Sequence, residues 1–215
     1  MGVTQLSLYP DAVVERLCLP CADLALLRQP ELGVPAPELL AGLLEDTPWR
    51  QETITLFGKT HLQPRLLAWY GEADAQYRYS GKTYQPLPFT DRLDRLRKRM
   101  ESLAGAPFNS VLLNYYRNHR DSMGLHADDE PELGREPVIA SLSLGQERVL
   151  YFRPKCDRDL GGLDVSLPSG SVLLMRGATQ EHWHHGVRKL TRSCGPRLNL
   201  TFRHVQRCSG RGGLA

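Results

Sequence analysis

Long apolar runs are missing from this 215-residue chain, and with them any stretch of the roughly 20 apolar residues that a helix needs to cross a bilayer. The opening MGVTQLSLYPDAVVERL has no basic stretch leading into an apolar one, so a secretory leader is not expected. Cysteine is scarce and unpaired in its spacing. Five residues, Cys18, Cys21, Cys156, Cys194 and Cys208, argue against a disulfide-stapled scaffold and for a reducing compartment. Cys18-Leu-Pro-Cys21 resembles half of a zinc or redox pair, but no second pair follows, so free thiols are expected. Internal repeats and long linkers are also absent. From His182 to the C-terminus there is no acidic residue, against seven Lys and Arg, whereas residues 128–136 are rich in Asp and Glu. The net charge of +3 therefore hides a basic end, which suits a polyanionic partner or simply a solvated basic surface.

What is present, 41% hydrophobic and 24% charged residues, is ordinary for one globular domain with a full core. Residues 1–35 are rich in Pro and Leu with weak periodicity and yield no element. APELLAGLLEDTPW reads as a short amphipathic helix stopped before Pro48. FTDRLDRLRKRMESLAG reads as a second, with Thr90 as cap and Leu93, Leu96, Met100 and Leu103 as its buried stripe. Strand signals dominate the rest. QETITLFGKTHLQPRLLAWYG suggests a hairpin turning near Gly58-Lys59, and QYRYSGKTYQ another turning at Ser80-Gly81. SVLLNYY, PVIASLSLG, RVLYFRP, GLDVSLP, GSVLLMRG, GVRKL and PRLNLTFRHV follow. Many short strands with Gly and Pro turns predict a mainly β, α+β fold: a jelly roll or cupin-like double sheet with helices on one side and a ligand-collecting mouth.

RLNLTFR carries the first functional hint. Strand alternation puts Leu198, Leu200 and Phe202 on one face and Arg197, Asn199, Thr201 and Arg203 on the other. If the polar face is buried, two guanidiniums there require an anion. LHADDE places His126 and Asp128 two residues apart, so an extended segment sends both to one side. QEHWHHG adds His182, His184 and His185, of which strand geometry lets one join them. Two imidazoles and one carboxylate occupy one face of an octahedral Fe(II) and leave positions open, as oxygen chemistry requires. Asn114 and Tyr116 share a strand face twelve and ten residues before His126, and Arg197 lies twelve after His185. Asn-x-Tyr, His-x-Asp, His and Arg-x5-Arg in that order suit a dicarboxylate that chelates iron at one end and meets an arginine at the other.

With these motifs the sequence resembles the AlkB family of Fe(II)- and 2-oxoglutarate-dependent dioxygenases, nucleic-acid repair demethylases of double-stranded β-helix fold, and most of all the group acting on duplex DNA. The resemblance runs from about Pro48 to His204, with PRLNLTFR its most specific piece. It implies His126, Asp128 and His185 as iron ligands, and so selects His185 among the three histidines. It implies Tyr116, Arg197 and Asn199 at the far carboxylate of 2-oxoglutarate, Asn114 and Arg203 near its C1 end, and Thr201 on the same face.

On the substrate side, YRYSG resembles the family's nucleotide-recognition lid, which implies Tyr77, Arg78 and Tyr79 beside a flipped base. Asp129 and Glu130 match acidic residues facing that base. LFGK resembles a duplex-probing hairpin built on Phe57, Gly58 and Lys59. Read alone, YRY is better taken as a plain pair of cross-strand aromatics, and Phe57 is equally an ordinary hairpin residue. The organisation so implied is an N-terminal extension and helix over residues 1–47, an oxygenase domain over 48–205 with a lid at about 52–85, and a tail over 206–215. The expected activity is oxidative demethylation of N-alkylated bases of the 1-methyladenine and 3-methylcytosine type in DNA, by a cytoplasmic (in a eukaryote, nuclear) monomer with no membrane partner. The alternatives are an RNA demethylase, a protein hydroxylase or demethylase of the same fold, and a cupin-like module that holds metal without turnover.

Overall fold

The computed structural model describes residues 13–56, 58–75, 77–79, 82–157 and 159–206, with residues 55, 56, 77–79 and 82–84 described by backbone alone. The chain begins with β1 (Val14–Leu17), β2 (Asp23–Leu27) and α1 (Ala36–Asp46). Next come β3 (Thr53–Leu56), β4 (Lys59–Leu62), β5 (Leu66–Gly71), β6 (Tyr77–Tyr79), β7 (Lys82–Tyr84) and α2 (Asp91–Ala104). Then follow β8 (Ser110–Tyr116), β9 (Met123–His126), β10 (Ile139–Gly145), β11 (Arg148–Pro154), β12 (Leu163–Leu167) and β13 (Val172–Arg176). The chain closes with α3 (Thr179–His182), β14 (Trp183–Val187) and β15 (Arg197–Arg203).

Two antiparallel sheets face each other. The larger has the order β1-β2-β13-β10-β15-β8-β5 and the smaller β12-β11-β14-β9. The strands β13, β10, β15 and β8 against the four of the smaller sheet make the expected double-stranded β-helix. Period-two alternation divides the larger sheet between two cores. Leu198, Leu200, Phe202, Ala140, Leu142, Leu144, Val111 and Leu113 pack under α1 and α2, with Leu39, Leu43, Leu93, Leu96, Met100 and Leu103. Their alternates Ile139, Leu173, Met175, Leu24, Leu26 and Tyr116 meet Leu150, Phe152, Val165, Trp183 and Val187 of the smaller sheet. Each such side chain taken fully out of water stabilises the fold by roughly 1.5–3 kcal/mol.

Both helices form where the sequence places them. Thr90 Oγ1 accepts from the Leu93 N–H, and Gly105 closes α2 in the left-handed region, its N–H donating to the Glu101 carbonyl. Elsewhere the structure corrects the sequence reading. The weakly periodic start contains β1 and β2, and β2 pairs with β13 inside the larger sheet. Asp-Leu-Ala-Leu-Leu shows no alternation because four of its five residues are buried, under the helices on one side and the second sheet on the other. The first hairpin turns at Gly58 with Lys59 opening β4 opposite Leu56, as expected, but its return strand ends at Leu62, and Leu66–Gly71 is a separate edge strand, β5, beside β8. The strand expected at GVRKL sits further upstream as β14, so His184 and His185 lie within it and His182 ends α3. The described cysteines Cys18, Cys21, Cys156 and Cys194 are free thiols. Among the described residues no helix is long and apolar enough to cross a membrane.

Candidate metal and co-substrate site

A narrow cleft opens between the two sheets, and the polar faces of β15 and β8 point into it. Asn199, Thr201 and Arg203 line it from β15, Asn114 and Tyr116 from β8, and His126, Asp128 and His185 from the opposite side. His126 and His185 are cross-strand partners on β9 and β14, with ring centroids 4.4 Å apart. Asp128 follows β9 by two residues. One ligand atom from each of His126, Asp128 and His185 lies within 4.8 Å of the others, a set that could hold a metal ion. Gly186 makes this approach possible. A β-carbon there would lie 2.9 Å from the Met123 carbonyl oxygen and 3.0 Å from the Tyr151 hydroxyl, so any larger residue would push β14 off β9.

Protonation states follow from the surroundings. His126 Nδ1 lies 3.0 Å from the Gly124 carbonyl oxygen, a contact that orients the ring and leaves Nε2 as the nitrogen available to a metal. Burial, helped by nearby His126, pushes the His185 imidazolium down to about 3, so this ring is neutral at physiological pH. Burial alone would raise the Asp128 carboxyl, but Arg203, with His185 and His126, outweighs it and holds the group below the usual carboxylate range. Arg203 Nη2 stands 3.3 Å from Asp128 Oδ1. Two imidazoles and one ionised carboxylate form a donor set that fits Fe(II).

The far end of the cleft is cationic. Arg197, only 1% exposed, lies over the Tyr116 ring, one layer behind the cleft wall. Its Nη2 donates to Ser143 Oγ over 2.9 Å, while Nε and Nη1 are buried with no protein partner, as is Arg203 Nε. Desolvation lowers the Arg197 guanidinium from its ordinary value. Buried donors without acceptors are costly, and an anionic ligand relieves that cost. Asn199 Nδ2 donates to Ser141 Oγ (2.8 Å), and Asn114 Oδ1 accepts from Arg65 Nε (2.8 Å).

The substrate-side residues are gathered less closely. Asp129 and Glu130 are not among the residues lining the cleft; Asp129 is instead paired with Lys155 over 2.6 Å. Tyr77, Arg78 and Tyr79 form β6, paired with β7, and their side chains fall outside the described residues, as does Phe57 entirely. Gly58 (φ +75°) and the exposed Lys59 are at the β3–β4 hairpin end. Several contributors escaped the sequence reading. Ser141 and Ser143 carried a signal, alternating in ASLSLG on the strand beside β15. Gln180 carried none: from α3, its Oε1 accepts the Asp128 N–H over 3.0 Å. His182, at the end of α3, is exposed and away from the cluster.

Comparison with known proteins agrees with this geometry. A family model described as the 2OG-Fe(II) oxygenase superfamily matches residues 33–203. Alpha-ketoglutarate-dependent dioxygenase alkB homolog 3 of Homo sapiens is 42% identical over 212 residues, covering 95% of this chain and 71% of that protein. DNA oxidative demethylase ALKBH2 of Homo sapiens is 38% identical over 158 residues, 71% of this chain and 60% of that protein. The structure of OsALKBH1 shares the fold, with a TM-score of 0.60 over 89% of this chain at 18% identity. This chain belongs to the 2OG-Fe(II) oxygenase superfamily, among the AlkB homologues, and is an iron- and 2-oxoglutarate-dependent dioxygenase.

Proposed function

We propose that this dioxygenase removes methyl groups from ring nitrogens of DNA bases, of the 1-methyladenine and 3-methylcytosine type, releasing formaldehyde, succinate and carbon dioxide. The observation that carries the reading is the pairing of the His126, Asp128 and His185 cluster with buried, unsatisfied arginine donors across one cleft. The likeness to a DNA oxidative demethylase, and the two hairpins β3–β4 and β6–β7 outside both main sheets, support a base as substrate.

In this reading His126, Asp128 and His185 hold Fe(II). Arg197, Tyr116 and Asn199 hold the far carboxylate of 2-oxoglutarate, while Asn114, Thr201 and Arg203 face its other end. Bound iron and 2-oxoglutarate would supply an oxidant made from O2, whose four-electron reduction takes two electrons from decarboxylation of 2-oxoglutarate to succinate and two from the methyl C–H. One oxygen atom enters succinate and the other the methyl group. The resulting N-hydroxymethyl group loses formaldehyde, and the ring nitrogen regains its ordinary valence.

The protein's own residues prepare this step. Arg203 keeps Asp128 ionised, Gln180 fixes the backbone behind it, and burial of His185 and Asp128 keeps bulk water from the ligand atoms. The base must leave its stack to reach the cleft, at a cost of a few kcal/mol. Tyr77 and Tyr79 offer stacking worth roughly 1–3 kcal/mol per base, with Arg78 between them on β6. Asp129 and Glu130 favour a cationic lesion, for which Asp129 must exchange its Lys155 partner. Phe57, Gly58 and Lys59 probe the strand around the extruded base.

The test is a panel of methylated single- and double-stranded DNA, methylated RNA and methylated peptides, scored for formaldehyde and succinate. Formaldehyde from methylated DNA supports the proposal. Turnover confined to RNA or to peptides replaces it with the corresponding alternative.

A further inference from the structure

We infer that Arg148 is a positioning residue for the far carboxylate of 2-oxoglutarate, acting from behind Tyr116 and setting co-substrate affinity without touching the ligand. The inference rests on the co-substrate reading given above. Arg148 opens β11 and is 3% exposed, a burial that arginine rarely adopts without an anionic partner. Among the described residues no carboxylate is in ion-pair contact with it. Its guanidinium donates to three backbone carbonyls, those of Asp121 (3.0 Å), Arg188 and, at longer range, Asn118 (3.5 Å), and its Nε has no partner.

Those bonds tie residues 118–121, between β8 and β9, to the end of β14. A purely structural staple would explain them. The surroundings of Tyr116 indicate more. The Arg148 Cζ lies 5.8 Å from the Tyr116 ring centroid and the Arg197 Cζ lies 5.2 Å from the same point. Two buried guanidiniums thus share one ring. The neighbouring carboxylate, Asp121, is occupied by Arg117, which bonds both of its oxygens. The Tyr116 end of the cleft is therefore left with an excess of positive charge in a poorly hydrated place. Such an arrangement is unfavourable in the absence of an anion and favourable in its presence. Arg148 does not line the cleft, so it acts through its field and by fixing Tyr116, whose hydroxyl reaches the Met123 sulfur 3.8 Å away across residues 117–122.

The consequence is selective. Arg148 should strengthen binding of an acid that has a far carboxylate and leave one without it unaffected. The experiment measures calorimetric binding of 2-oxoglutarate and of 2-oxobutanoate, which lacks the far carboxylate, to Mn(II)-loaded protein, where no turnover occurs. Arg148→Gln is expected to weaken 2-oxoglutarate about tenfold and to change 2-oxobutanoate by less than about twofold. Arg148→Lys, which keeps the charge but not the three carbonyl bonds, is expected to hold 2-oxoglutarate within about threefold of wild type. Equal weakening of both acids in Arg148→Gln makes Arg148 a structural staple and overturns the inference, as does unchanged 2-oxoglutarate binding. Should the glutamine variant not fold, the lysine variant decides. A retained preference for the dicarboxylate supports the charge role, and loss of that preference contradicts it. If the wild-type protein itself shows no preference for 2-oxoglutarate over 2-oxobutanoate, the co-substrate reading fails instead.

Discussion

The cleft between the sheets and the β3–β4 hairpin treat the same kinds of residue in opposite ways. In and just behind the cleft wall, Asp128, His185 and Arg197 are buried: Gln180 accepts from the Asp128 N–H, Ser143 accepts from Arg197, and the His185 ring packs against those of His126 and Phe152. On the hairpin, every residue of β4 is exposed and the strand pairs only with β3 among the described residues. Charge in the cleft is held where solvent cannot screen it and side-chain position is set by the core, so the chemistry there is a property of the fold. Charge on the hairpin is solvated and screened, so the residues there can vary without disturbing the fold. Arg65 joins the two regions. It lies beyond the hairpin's last strand, donates to the cleft residue Asn114, and follows Pro64, whose carbonyl accepts the Ser122 N–H.

Substitutions in the two regions should therefore differ in kind. The largest effect is expected at His185. His185→Ala should lower metal binding and turnover more than about a hundredfold, while His182→Ala, at an exposed position, stays close to wild type in both, as metal titration and initial rates would show. The reverse result would exchange the two histidines' roles. Next comes Arg197→Ala, which should raise the 2-oxoglutarate requirement well over about tenfold, because one member of a buried charged pair is removed. An unchanged co-substrate dependence would return the polar face of β15 to a structural role. A smaller loss is expected for Gln180→Leu, which leaves the buried Asp128 N–H without its acceptor; Mn(II) affinity should fall about tenfold with little change in substrate KM. Smallest is Lys59→Ala. It should leave the melting temperature and 2-oxoglutarate binding unchanged and reduce the salt dependence of DNA binding by about one unit of log-log slope. Phe57→Ala sharpens this end of the comparison, since a duplex-probing residue should matter on duplex and not on single-stranded substrate.

How legible each region was follows from the same contrast. The polar and apolar faces of β15 could be read because one face meets helices and the other a polar cleft, so the alternation survives in the sequence. The cap and stripe of α2 were legible for a similar reason, as one of its faces remains solvated. The β2 strand was not, because its residues are apolar on both sides. His126 and Asp128 were paired by spacing alone, but His185 needed the family resemblance. Only the structure shows that His182 belongs to α3 and that His185 stands opposite His126. Gln180 and Arg148 act by bonds to backbone atoms more than 25 residues away in sequence, contacts that no local pattern encodes.

The central claim is that this cleft couples 2-oxoglutarate decarboxylation to removal of a methyl group from a DNA base. The most direct test incubates the iron-loaded protein with an oligonucleotide carrying a single 1-methyladenine and measures succinate and formaldehyde in the same sample. The account predicts equal amounts of the two products, both abolished by an iron chelator and both restored by added Fe(II). Formaldehyde that persists without iron, or succinate formed at the same rate whether or not the methylated base is present and with no formaldehyde beside it, would contradict it.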